Sequence, residues 1–207
     1  MKKRKIPIAL ILGILLVTAS LCLVIITQVK EHLGYKKIEA TLEFMESVLP
    51  ERYAGVPNTY PVNDMPVLEI SGVDYSALLE IPSINIALPV ADNWNGSKLY
   101  NSPARYFGSA YNSSLVIGGT SGSHQFEFCK KIETGTVVTV TDMMGAQFVY
   151  EVVRVDRATD PKAKWLTGTE YDLTLFCRDS TSMEYIAVRC ELIYNLNNVS
   201  DKHVVLR

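Results

Sequence analysis

Histidine, cysteine and tryptophan are scarce in this chain, at three, four and two residues in 207. The few present are scattered. His32, His124 and His203 lie far apart and no cysteines have the paired short spacing of a zinc site, so neither a metal nor another cofactor is predicted. Four cysteines, with Cys22 inside an apolar run, are too few for a disulfide framework. Basic residues also run short past residue 37. The first 37 residues hold seven Lys or Arg against one Glu, and the rest holds 13 against 21 acidic residues, a net of −8. An acidic remainder without a basic stripe excludes nucleic acid as a partner. No internal repeat is visible. Apolar residues at 48% and aromatics at 9% exclude disorder and suffice for one packed core.

One long run lacks charge altogether. "IPIALILGILLVTASLCLVIIT" (Ile6 to Thr27) follows Lys2, Lys3, Arg4 and Lys5. At about 1.5 Å per residue it crosses a ~30 Å hydrocarbon core. A cleavable signal peptide would have an apolar region of only about 7–15 residues, and lipidation at Cys22 is disfavoured by Leu21 before it. The basic cluster should stay in the cytoplasm, which predicts a single-pass membrane protein with the rest of the chain extracellular. Residues 1–27 are thus read as basic tip and anchor.

From Gln28 to Leu49, Val29, Leu33, Ile38, Leu42, Met45 and Leu49 recur at helical spacing and predict an amphipathic helix, continuing from the anchor or hinged to it. Pro50 stops it, and four prolines in "PERYAGVPNTYPVNDMP" predict an extended spacer, so 28–66 is read as helix plus spacer. Residues 67–207 change to short β-type runs. Strands are expected near Ala77–Ile81, Ile84–Leu88, Ser114–Ile117, Val137–Thr141, Gln147–Asp156, Leu173–Cys177 and Tyr185–Tyr194, with Asn95-Gly96 a tight turn and "DMMGAQ" a hairpin joint. Many short strands and few helical stretches predict an all-β barrel or sandwich.

Four stretches carry a resemblance: "LLEIPSINIALPV" (Leu78 to Val90), "SPARYFGSAYNSSLVIGGT" (Ser102 to Thr120), "GTVVTVTDMMGAQFVYEVVRV" (Gly135 to Val155) and "DLTLFCRDSTSMEYIAVRCEL" (Asp172 to Leu192). In order and spacing they resemble the sortase family of Gram-positive surface transpeptidases, nearest to its class B and D branches. The resemblance implies an eight-stranded sortase-type β-barrel with a groove for an extended sorting-signal peptide. It also implies a cysteine transpeptidase chemistry on motifs like LPxTG. A Cys ending the seventh barrel strand, in a pattern like TLxTC, attacks the Thr–Gly carbonyl; a His after the fourth protonates the leaving amine; an Arg on the eighth steadies the oxyanion.

This sequence departs from that pattern at all three places. "VIGGT" puts Thr120 at the histidine, and a gapless count back from "AVRCEL" puts Arg178 at the cysteine and Tyr185 at the arginine. The expectation is therefore a catalytically degenerate pseudo-sortase that keeps a peptide groove, with Arg178 and Tyr185 as candidate substrate-binding residues and no catalytic residue. The alternative is an active transpeptidase or hydrolase rearranged around Cys177, with His124 as a displaced base. Alternation opposes it: Leu173, Leu175 and Cys177 share one strand face, Thr174, Phe176 and Arg178 the other. Cys177 is then a buried thiol whose pKa an apolar setting would raise, Cys129 and Cys190 are core cysteines, and His124 is a surface loop residue. The partners implied are the membrane and a sorting-signal-like peptide or a cell-surface protein. An adaptor with its binding surface elsewhere on the barrel is not separated by sequence from the pseudo-sortase.

Overall fold

The computed structural model describes residues 8–54, 64–94, 102–122, 125–168 and 170–194. Helix α1 (Ile8–Val48) runs unbroken through the stretches read as anchor and as amphipathic helix. Between Leu12 and Val48 it holds an 18-residue stretch with a mean hydropathy of 2.4, long and apolar enough to cross a membrane and with no residue buried. The apolar stripe then divides. Val29 and Leu33 remain exposed, while Ile38, Thr41 and Met45 are buried where α1 packs on the domain. Side chains like Ile38 and Met45 contribute about 1.5–3 kcal/mol each on burial, so the end of α1 is fastened to the domain.

The spacer expected after Pro50 is corrected at both of its described ends. Strand β1 (Tyr53–Ala54) adds in parallel to the start of β8 (Ala146–Ala158), Arg52 grips both carboxylate oxygens of Glu80 at 2.9 and 3.1 Å, and Met65 is buried. A backbone that finds ladder partners gains more there than in a solvated tether. The turn expected at Asn95-Gly96 lies outside the described residues.

After the short β2 (Leu68–Ile70), eight strands close a ring: β3 (Val73–Ile81), β4 (Ile86–Ala91), β5 (Ala104–Phe107), β6 (Leu115–Thr120), β7 (Val137–Asp142), β8, β9 (Leu173–Arg178) and β10 (Tyr185–Tyr194). Their order around the barrel is β3, β4, β5, β6, β9, β10, β8, β7 and back to β3. The pairs β4–β5 and β6–β9 are parallel and the rest antiparallel. The all-β, eight-stranded expectation therefore holds. Leu79, Ile117, Phe148, Leu175 and Val188 fill the interior at zero exposure.

Two local readings change. The strand expected at Ile84–Leu88 begins only at Ile86, because Pro82–Ile84 form a 3-10 turn with Pro82 setting its first residue and Asn85 left-handed (φ 54°) behind it. Strand β5 was not foreseen, its four residues being too short for a period-two signal. The hairpin at "DMMGAQ" does form: Asp142 accepts the Met144 and Ala146 amides at 2.8 Å, and Gly145 takes φ 88° against the Glu51 carbonyl.

Candidate functional site

Register assembles the site. β6 runs parallel to β9 with Thr120 opposite Arg178, and β9 runs antiparallel to β10 with Arg178 opposite Tyr185. Thr120, Arg178 and Tyr185 thus form one row across three adjacent strands, and residues opposite one another project to the same face. That face is outside the barrel core, where Thr120 and Tyr185 are half-buried and Arg178 is exposed. The Arg178 guanidinium lies 5.6 Å from the centre of the Tyr185 ring, and its Nε donates to the Met183 carbonyl at 3.3 Å.

Cys177, one residue back, projects into the core with zero exposure. Its Sγ sits 3.6 Å from the Phe126 carbonyl, on the 3-10 turn Phe126–Lys130 that also carries Cys129. The Cys129 thiol is pushed well above its ordinary value, by burial first and then by its hydrogen bond with Cys177. Cys177 moves the other way. The hydrogen bond from Cys129, helped by the Lys130 charge, lowers it against the burial that opposes ionisation. The expectation that its apolar setting raises Cys177 is thereby corrected, since a neighbouring thiol can stabilise the thiolate where hydrocarbon cannot. Burial also keeps Cys177 out of reach of solvent. His124 lies outside the described residues, among which the one histidine is His32 on α1. Cys190 is also buried, and burial raises it. All four cysteines are free thiols.

Sequence reasoning missed what surrounds the row. Between β9 and β10, Asp179 accepts from the Thr181 amide at 3.0 Å and the Ser182 hydroxyl at 3.1 Å, and pairs with Lys130 at 3.0 Å. Those contacts, the Thr181 amide foremost, hold its carboxyl down to about 2. The ordinary value is about 3.9, so the stability this turn contributes is complete above about pH 4 and is lost as pH falls toward 2. Asp179→Asn should therefore unfold at a lower temperature than the parent at pH 7 and at the same temperature at pH 2. Equal deficits at both would refute the ionic account.

Behind the row lie Gly118, Phe176 and Ala187, in register with one another. Trp94, just past β4, lies on this second row, its ring stacked on Phe176 (centroids 5.3 Å, 30°) and edge-on to Tyr106 (5.2 Å, 86°). The signal was legible in "VIGGT", because glycine inside a strand marks close approach of another group. Further along, helix α2 (Ala163–Thr167) covers the same face. Buried Arg189 fastens it, donating to the Trp165 carbonyl at 2.5 Å, Thr174 Oγ1 at 3.1 Å and Asp156 at 3.2 Å. Among the described residues no cluster of His, Cys, Asp or Glu could hold a metal ion.

No protein-family model matches the chain, and no curated protein matches it in sequence. Solved structures do. Sortase A from Corynebacterium diphtheriae aligns over 79% of this chain and 85% of its own at 18% identity, with a TM-score of 0.52. Sortase C-1 from Actinomyces oris aligns over 78% and 99% at 21% identity, TM-score 0.52. The sortase D5 transpeptidase of Clostridium perfringens aligns over 58% and 80% at 18% identity, TM-score 0.51. The barrel therefore has the sortase fold, and the likeness extends over several branches of that family without singling out class B or D.

Proposed function

We propose that this is a membrane-anchored extracellular pseudo-sortase: a sortase-fold domain, class B- or D-like in sequence, that binds an extended peptide on its outer face without making or breaking a peptide bond. The observation that carries the reading is the row itself. Thr120, Arg178 and Tyr185 stand side by side at the positions the resemblance gives to a base, a nucleophile and an oxyanion-stabilising cation. A threonine does not titrate near neutrality, a guanidinium has no lone pair for attack, and a tyrosine carries no fixed positive charge. What the row retains is recognition chemistry. Arg178 offers a fork of donors for carboxylate or carbonyl oxygens, and Tyr185 offers an aromatic surface. Helix α1 is the anchor, and the basic residues before Ile6 favour a cytoplasmic N-terminus.

The full chain in detergent should fail to cleave or transfer an LPxTG-like peptide, and Cys177→Ala should change its stability and no activity. One observation favours the alternative of a rearranged site, namely the Cys129 hydrogen bond that pulls Cys177 down. Cleavage by the parent chain that disappears in a folded Cys177→Ala variant would establish that alternative and remove the pseudo-enzyme reading.

A further inference from the structure

Three thiols share the barrel core: Cys129 on the 3-10 turn Phe126–Lys130, Cys177 on β9 and Cys190 on β10. They are not equivalent. Cys129 and Cys177 lie within hydrogen-bond reach of each other, whereas Cys190 answers to burial and to the Arg189 charge. The pair joins distant stretches. Cys129 and Cys177 are 48 positions apart in the chain, and the turn that brings them together holds the Thr120, Arg178 and Tyr185 row from beneath. At its head, Gln125 Oε1 accepts the Thr120 amide at 3.0 Å, and at its end Lys130 pairs with Asp179 at 3.0 Å. Between these two holds, Cys177 Sγ faces the Phe126 carbonyl at 3.6 Å.

The surroundings give the two sulfurs different roles. The Cys129 hydrogen bond and the Lys130 charge favour a thiolate at Cys177, while burial keeps Cys129 protonated. A thiolate beside a protonated thiol is the arrangement of an attacking and a resolving cysteine. Burial slows reagents the size of iodoacetamide more than it slows a peroxide, which is close to water in size. Cys177 stands one residue before exposed Arg178, so its path to solvent is short.

We propose that Cys129 and Cys177 are a modification site: hydrogen peroxide converts them to a reversible disulfide that staples the 3-10 turn to β9 beneath the row. In the first step the Cys177 thiolate attacks one peroxide oxygen; an S–O bond forms, the O–O bond breaks, and the hydroxide released takes up a proton to become water. In the second, the Cys129 sulfur attacks the Cys177 sulfur. The S–S bond forms, the S–O bond breaks, and the hydroxyl leaves with the Cys129 proton as a second water. Two thiols are oxidised and one peroxide is reduced to two waters. A small dithiol reverses the change by thiol–disulfide exchange. The inference goes beyond the groove reading and does not depend on peptide binding.

The test treats the folded full chain in detergent micelles with hydrogen peroxide, blocks the remaining thiols and maps tryptic peptides without reduction. Trypsin places the three core cysteines on separate peptides, 106–130, 165–178 and 190–202. Peptides 106–130 and 165–178 should appear joined, and dithiothreitol should separate them. The oxidised chain should melt about 10 °C higher than the reduced one, the order expected when a loop of this length is closed in the unfolded state. Cys190→Ser should keep both effects, and Cys129→Ser and Cys177→Ser should lose them. The map of the parent decides the matter even where a variant fails to fold. Oxygen adducts on Cys177 without a joined peptide, links that include Cys190, a link formed only in urea, or three untouched thiols would each overturn the proposal.

Discussion

A chain carrying Thr120→His, Cys177→Thr, Arg178→Cys and Tyr185→Arg together should cleave an LPxTG-like peptide at a measurable rate, where the parent is expected to give none. The expectation follows from register. A cysteine at 178 lands on the outer face, between a histidine at 120 on the parallel neighbour and an arginine at 185 on the antiparallel one, each one strand spacing away. Interstrand spacing is about 4.8 Å, close enough for side chains of this length to meet over a bound carbonyl. A positioned general acid–base group alone is worth about 10²–10⁴-fold in rate, so recovery should far exceed background hydrolysis. Threonine at 177 stays in the core, where its hydroxyl can donate to the Phe126 carbonyl that Cys177 now faces. Peptide cleavage followed by mass spectrometry is the measurement. A folded variant that binds peptide and leaves it intact would indicate that the row does not overlie the scissile bond.

Phe126→Ala should cost about 3–5 kcal/mol of stability, the range for removing a fully buried aromatic ring, and should make Cys177 the fastest-alkylated cysteine of the domain. Phe126 has zero exposure. It packs against Phe128 with ring centroids 5.2 Å apart, and its ring carbons lie 3.0–3.2 Å from where a Gly119 Cβ would stand. The ring and the turn that carries it close the core over Cys177. Since the Cys129 hydrogen bond and the Lys130 charge already favour the Cys177 thiolate, exposure is the missing ingredient. In the parent, alkylation at Cys177 should be slow and should follow global unfolding. In Phe126→Ala it should be quicker than unfolding, as read by iodoacetamide labelling and peptide mapping beside a denaturant titration. Equal labelling rates at Cys129, Cys177 and Cys190 in the variant would mean that the whole core opens and that no local gate exists.

How much of this was legible depended on how local each signal is. The long apolar helix was legible because its uncharged run matches the thickness of a membrane, and the opposed faces of Cys177 and Arg178 followed from the two-residue period of a strand. The row of Thr120, Arg178 and Tyr185 needed the topology as well. Neighbouring strands can be inferred from order, but a one-residue slip in register would have separated the three. The remainder was encoded at a distance. Cys129 reaches Cys177 only because a 3-10 turn folds under β9, and no spacing rule announces that pair. Tyr53 and Ala54 lie in a proline-rich stretch whose composition favours a free spacer, yet an open edge on β8 captures them. Trp94 meets Phe176 across most of the barrel's sequence, and only the two glycines of "VIGGT" pointed to a partner.

Helix α1 has a mechanical consequence. Eleven residues separate Thr27, the end of the uncharged run, from Ile38, the first of the side chains buried on the barrel. At 1.5 Å per residue that is roughly 16 Å of rigid mast. With α1 as the membrane anchor proposed above, a flexible leash of equal length would let the domain tumble through a hemisphere, whereas a mast holds it at fixed altitude and bearing and lets it spin and drift within the bilayer plane. Encounter then becomes a search over a thin shell parallel to the membrane. A partner is sampled according to the height at which its extended segment emerges, so lengthening or shortening α1 by one turn would retune which neighbours are met while leaving every contact within the barrel unchanged.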